Sequence, residues 1–383
     1  MSDHKPMHDY VPGLDGIRAI CITLVVLGHV GFGDIVPGGL GVTAFFFLSG
    51  YLITGLLAQE HVRFGRVDFA RFYGRRSLRL LPELVVFVGL LGLAIAPLLA
   101  QPLPPLAALA ALTYWTNYYM VLGFDTCTDC SPIGHLWSLS VEEHFYLVAP
   151  LAMAACAFAP RRLTTLLVAV LVAGLSWRLY AEVVLHRPEV YTYKTTECRM
   201  DSIAWGCLAA VLQRSQPGLM ALVRRHGMAL FAAGMAVLLT SLAIRDPVFR
   251  NTFRYSLQGL GLMLAVPPLV NAPQLGWANR LLELAPLRWM GRRSYGAYLW
   301  HYAALSFTAA ILGVAGPLEA ASRKEQLMGA PITLALTWTF AALSYTLVFK
   351  PSQRLKPFLT PKALGQPADA AFARNTSEAR PVT

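Results

Sequence analysis

The sequence predicts an all-α polytopic membrane protein with about ten transmembrane helices and both termini in the cytoplasm. Three observations carry this. Of 383 residues, 56% are hydrophobic and only 14% are charged, whereas soluble domains carry about 25% charged residues. Mean hydropathy is +0.50. Apolar stretches of about 20 residues, the length that crosses a bilayer, recur along the chain. This composition excludes an ordinary soluble enzyme, a disordered chain and a disulfide scaffold.

The predicted spans are 17–33, 39–59, 80–100, 136–158, 163–185, 201–214, 228–245, 255–272, 294–315 and 331–349. The first has no small-residue cleavage site after it and is expected to be a retained helix, not a signal peptide. The sixth is the shortest. Segment 106–122 is also apolar, but its TYWTNYY run suits an interface or a re-entrant turn, and it is read as non-spanning. The domain expectation follows: a cytoplasmic segment 1–16, a transmembrane domain 17–349, and a cytoplasmic tail 350–383 that is disordered at its end and too short for a further folded domain.

Orientation comes from the basic residues. Loop 60–79 holds six arginines and is placed in the cytoplasm; alternation then puts 23 of the 32 Lys and Arg residues inside and eight outside. A further span at 106–122 would reverse this bias. The formal charge of +11 is therefore assigned to cytoplasmic loops beside the lipid bilayer and not to nucleic acid.

Ionisable groups inside a span are costly and mark function. Arg18 and His29 are eleven residues apart in the first span. That is about three turns and about 16 Å of rise, so both lie on one helix face. The plain reading is a snorkelling Arg and a structural His; the functional one is a general base, because a neutral imidazole accepts a proton at pH 7. In YGRRSLRLLPE, Arg75, Arg76 and Arg79 stand at the mouth of the third span. Headgroup anchoring is the simple explanation, but clustered guanidinium forks suit phosphate.

Further along, HLWSLSVEEHFYLVAP carries Trp137 and puts Glu142 and Glu143 into an apolar helix, paired with an Arg or Tyr. FFFLSGYLI places Ser49, Gly50 and Tyr51 in the second span, where small residues allow close approach; the flanking glycines of a serine-hydrolase elbow are missing. ECRMDSIAWG puts Arg199 and Asp201 at the outer mouth, and SYGAYLWHY puts Tyr295, Tyr298 and His301 in the ninth span. Cys127 and Cys130 form CTDC on the outer side, where a disulfide is plausible and Cys198 competes as a partner. No compact cluster with metal-ligand spacing stands out, so no metal is expected.

These segments, in this order, resemble the acyltransferase 3 family of integral membrane O-acyltransferases. The resemblance runs over about residues 12–350: an Arg, ten residues and a His in the first helix, then FFFLSGYLI, RRSLRLLP, WSLSVEEHFYL, RMDSIAWG and SYGAYLWH. Two positions depart from the family pattern. His144 stands where the family usually has Gln, and Phe349 where a Glu before Lys-Pro is common. The extracytoplasmic hydrolase-like domain of many members is not expected here.

The resemblance implies transfer of an acyl group, acetyl by default, from cytoplasmic acyl-CoA to a hydroxyl of a carbohydrate or glycoconjugate, with acyl-CoA as co-substrate and no permanently bound cofactor. It places the protein in the bacterial inner membrane. His29 would deprotonate the acceptor or carry the acyl group, with Glu142 and Glu143 holding the imidazole or an Arg. Arg18, Arg75, Arg76 and Arg79 would bind the CoA phosphates. Ser49, Tyr51, Trp137, Arg199, Asp201, Tyr298 and His301 would contact the acceptor or support the site. Acceptor and acyl chain stay open in the sequence. A proton-coupled transporter or permease is the rival class, although no inverted repeat is visible; a structural scaffold would leave the Arg18–His29 spacing unexplained.

Overall fold

The computed structural model describes residues 11–95, 98, 103–124 and 132–359. Among the described residues all regular structure is helical. Ten helices follow the ten predicted segments: α1 (Leu14–Leu27), α2 (Gly38–Phe64), α3 (Phe69–Leu90), α4 (Trp137–Ala155), α5 (Pro160–Leu179), α6 (Thr196–Ser215), α7 (Gly227–Ala243), α8 (Phe253–Asn271), α9 (Ser294–Leu312) and α10 (Arg323–Ser344). Five helical stretches are long and apolar enough to cross a membrane: Leu14–Phe32, Gly38–Phe64, Phe69–Ile95, Pro160–Val184 and Arg323–Leu359. A sixth candidate is Pro217–Arg225 with α7, bent by 88°.

The helices that fall short of that measure are α4, α6, α8 and α9. They lose hydropathy because they carry polar side chains turned into the bundle, where a lipid-facing helix would carry apolar ones. Helix α6 is the central case. Cys198, Arg199, Asp201, Ser202, Ile203 and Ala204 are all fully buried, and it packs against α2, α5 and α8. It begins at Thr196, five residues before the predicted span, so Arg199 and Asp201 lie inside a helix and not at an outer mouth.

Helices α2 and α6 approach backbone to backbone. A Cβ on Gly50 would run into the carbonyl of Ile203, and one on Gly206 into that of Phe47. Small residues at such crossings are what permit the contact. Tyr51 donates to Gln213 Oε1 at 2.5 Å across the same interface, so it ties the two helices together.

The basic loop expected at 60–79 contracts to residues 65–68. Helix α2 runs to Phe64 and ends at Gly65 in the left-handed region, φ 69°. Asp68 caps α3 by accepting from the Arg71 N–H at 3.1 Å. The arginine cluster is therefore helical throughout. Segment 106–122 forms two short helices, Pro105–Leu112 and Thr116–Val121, broken at Tyr114 with φ 58°. The start of the expected tail is not free: Ser352 and Gln353 both donate to Leu78 O on α3, at 3.2 and 3.0 Å. Residues 364–383 and the CTDC pair lie outside the described residues. Cys198 is buried with a free thiol.

Candidate active site

Helix α1 ends in a π-helical turn, Gly28–Phe32, that contains His29. Such turns concentrate at functional sites because the widened ring re-aims a side chain. Gly31 takes φ 120°, and a Cβ there would strike Gln326. The start of α10 holds the turn from outside: Arg323 donates to Gly31 O at 3.2 Å and pairs with Asp34 at 2.7 Å.

His29 Nδ1 lies 2.9 Å from Val25 O. A carbonyl only accepts, so Nδ1 carries a hydrogen, and in the neutral ring Nε2 keeps its lone pair. Two more imidazoles stand beside it. The His29 and His301 ring centroids are 5.3 Å apart, and those of His135 and His301 4.9 Å. His135 Nε2 faces Leu299 O at 3.1 Å, and His301 Nδ1 faces Tyr298 O at 2.7 Å. The same argument puts a hydrogen on each of those nitrogens; the other nitrogens, His135 Nδ1 and His301 Nε2, are buried with no hydrogen-bond partner among the described residues. Tyr302 closes the group, with its ring 5.1 Å from His29 and 4.5 Å from His135.

Two kinds of cavity approach this cluster. The inner cavity, named for the Arg18 end of α1, is lined by Arg18, Arg76, Arg79, Ser49, Glu142 and Tyr146 among others. Arg76 is held by Glu143 at 3.0 Å and by Glu142 at 3.7 Å, with its guanidinium over the Tyr146 ring. Glu142 Oε1 also accepts from Ser49 and, at 2.5 Å, from Tyr146. The two glutamates thus orient an arginine, and neither hydrogen-bonds His29. Arg18 and Arg79 have no hydrogen-bond or ion-pair partner among the described residues, which leaves two guanidiniums open to an anion.

The vestibule, at the His29 end of α1, consists of two adjoining cavities that share His29, Val42, Glu189, Tyr193 and Glu319. Trp137, Tyr193, Tyr255 and Tyr302 supply aromatic walls. Val42 and Tyr298 line the inner cavity as well as the vestibule. Tyr298 is fixed there by Ser138 Oγ at 2.6 Å and His135 O at 2.5 Å.

Several expected site residues stand elsewhere. Arg75 is turned from the inner cavity, because Glu60 takes its guanidinium at 2.7 Å and Leu359 O accepts a second bond at 3.1 Å. Asp201 is fully buried and accepts two bonds from Arg178, at 2.8 and 2.7 Å, so it lines neither cavity. Arg199 is fully buried too. It donates to Thr43 at 3.0 Å and lies over Tyr255 with 4.0 Å to the ring centroid, with Phe46, Trp137 and Tyr193 around it. Ser49 lines the inner cavity and donates to Glu142. His144 bonds Thr196 at 2.7 Å, tying α4 to α6. Phe349 stacks on Tyr345 with centroids 5.0 Å apart.

Sequence reasoning missed Tyr302, Tyr193 and the placement of His135. The signal for Tyr302 and His135 is present in SYGAYLWHY and GHLW, but helical spacing does not reveal which rings meet across the chain; Tyr193, in EVYTYK, lies outside every segment singled out. Next to the vestibule, Tyr118 and Tyr191 each donate to Glu197 at 2.7 Å. Burial and then that carboxylate push both phenols up to about 12, so both remain donors at neutral pH.

An all-helical membrane bundle with a guanidinium-lined cavity and a histidine-lined vestibule defines a class, and the comparison with known proteins agrees. Residues 11–349 match the acyltransferase-domain model of the acyltransferase 3 family, and the chain belongs to that family. It is an integral bacterial membrane protein. It is 27% identical over 362 residues to the YrhL protein of Bacillus subtilis, covering 91% of this chain and 56% of that one. It is 27% identical over 361 residues to the peptidoglycan O-acetyltransferase OatA of Listeria monocytogenes (90% and 56%). To the O-acetyltransferase OatA of Staphylococcus aureus it is 30% identical over 317 residues (78% and 51%). The chain thus spans about half the length of the curated relatives it matches. No solved structure matches it.

Proposed function

We propose that the chain transfers an acyl group, acetyl by default, from cytoplasmic acyl-CoA to a hydroxyl of a carbohydrate or glycoconjugate acceptor at the far side of the bacterial inner membrane. In this reading all ten long helices span and both termini are cytoplasmic. The observation that carries it is that an inner cavity with open guanidiniums and an outer vestibule containing His29 adjoin at Val42 and Tyr298.

Arg18, Arg76 and Arg79 would hold the CoA phosphates, as planar charged forks do. The thin pantetheine arm would pass Tyr298 toward His29. The acceptor would enter the vestibule, where aromatic faces suit the apolar faces of sugar rings. His29 Nε2 would take the hydroxyl proton as the oxygen attacks the thioester carbonyl carbon. Collapse of the tetrahedral adduct breaks the C–S bond, and the thiolate recovers the proton from His29. The atoms balance without a further reactant: ester and CoA thiol leave. A glycan of the peptidoglycan type, named for the Listeria relative, is the first acceptor to try.

The test is acetyl-CoA binding by calorimetry and thiol release with a test glycan, using wild type, His29→Ala and Arg79→Ala. The reading expects His29→Ala to bind CoA but release no thiol, and Arg79→Ala to bind CoA weakly. A wild type with no affinity for CoA overturns it.

A further inference from the structure

The positive-inside bias leaves one segment unexplained. Arg245, Arg250 and Arg254 stand close in sequence on the side predicted to be outer, where basic residues are disfavoured. The structure brings all three to the wall of one of the two vestibule cavities, where His29 also stands. Arg245 follows α7, Arg250 is in the short helix Pro247–Asn251, whose cap Asp246 accepts from the Phe249 N–H at 2.7 Å, and Arg254 is in the first turn of α8. None of the three makes an ion pair with a carboxylate among the described residues. Arg254 rests against Tyr255, with its guanidinium carbon 5.4 Å from the ring centroid, and donates to the phenol oxygen at 3.5 Å.

The carboxylates on the same wall are Asp34, Glu189 and Glu319. Asp34 is taken by Arg323 at 2.7 Å. Glu189 and Glu319 are shared with the adjoining cavity, which Lys194 also lines, whereas the three arginines line the one cavity alone. The three guanidiniums are therefore confined to one of the two cavities, where they meet Glu189 and Glu319 beside the engaged Asp34.

We infer that Arg245, Arg250 and Arg254 form an oxyanion subsite for the acceptor, so that the preferred acceptor is a saccharide bearing a carboxylate or phosphate. This rests on the acyltransferase reading of the vestibule and adds the substrate class. The same chemistry could be met by a phospholipid headgroup of the outer leaflet, and the two sources are separable.

The experiment uses the full chain in liposomes of phosphatidylcholine, with and without phosphatidylglycerol. The probes are a tetrasaccharide with one uronate carboxylate and the same compound as its carboxamide. Binding is read by calorimetry and transfer by thiol release, in wild type, Arg250→Gln, Arg254→Gln and the charge-keeping Arg250→Lys. Wild type should bind the carboxylate at least about tenfold more tightly than the carboxamide, the scale of one charge-assisted hydrogen bond. Each Gln variant should lose most of that preference, and Arg250→Lys should keep part of it; a thermal melt checks that the variants fold. Equal affinity for the two probes in wild type overturns the subsite. So does a preference that survives both Gln substitutions, or a preference that phosphatidylglycerol abolishes, which assigns the arginines to headgroups. Charge-selective binding without any transfer leaves the subsite standing and counts against the acyltransferase reading instead.

Discussion

His29 and His301 face each other from α1 and α9 with ring centroids 5.3 Å apart, although 272 residues separate them in sequence. His301 is fully buried and is held by Tyr298 O at 2.7 Å. It lines neither the inner cavity nor the vestibule, so it acts on substrate only through the ring it supports. Removing it opens space beside His29. His301→Ala is expected to lower kcat on the order of 10²-fold through misplacement of the base, while CoA affinity stays near wild type. Calorimetry beside thiol release checks this; a matching loss of CoA affinity would show that His301 supports the whole bundle and not the base.

The neighbouring arginines of α3 should behave differently. Arg75 is occupied by Glu60 and by Leu359 O, whereas Arg79 faces the inner cavity without a protein partner among the described residues. Arg79→Ala is expected to weaken CoA binding about tenfold or more, and Arg75→Ala to leave it within about twofold while costing about 1–3 kcal/mol of stability. Titrations with CoA and thermal melts of both variants test the contrast. The reverse order would mean that the ion pair with Glu60 opens when CoA binds.

Much of this arrangement was legible in the sequence, and the exceptions have one cause. The helices were readable because hydropathy is a local property, and the Arg18–His29 spacing because both lie on one continuous helical segment. The partner of each charged group was not. Arg75 and Arg76 are adjacent in sequence, yet helix geometry points them about 100° apart, one to Glu60 and the other to Glu142 and Glu143. Asp201 read as a mouth residue because the polar start of α6 resembled a loop; its mate Arg178 lay in a different span. The three-imidazole cluster joins α1, the start of α4 and α9, and no periodicity reports such a junction.

Glu142 collects Ser49, Tyr146 and Arg76 on one carboxylate. Its neutral isostere keeps the shape but not the charge that fixes the guanidinium. Glu142→Gln is therefore expected to raise KM for acyl-CoA several-fold with a smaller change in kcat, because the group orients a donor-binding arginine and does not hydrogen-bond His29. Steady-state kinetics with acetyl-CoA as the varied substrate distinguishes the two. A loss confined to kcat would place Glu142 in the chemical step.

Arg178 and Asp201 form a fully buried pair between α5 and α6, and the guanidinium also donates to Thr252 O at 3.1 Å, Ser256 Oγ at 2.7 Å and Cys198 O at 2.5 Å. Breaking such a pair leaves one charge stranded, which costs about 3–5 kcal/mol. Asp201→Asn is expected to lower thermal stability sharply in detergent. The double variant Arg178→Met, Asp201→Leu should recover much of the loss, because desolvating the pair is itself unfavourable and apolar side chains remove that cost. Catalysis should follow stability in both proteins: at a temperature where each is folded, thiol release per folded molecule should match wild type within a few-fold. A folded Asp201→Asn protein that binds CoA but releases no thiol would return Asp201 to the active site.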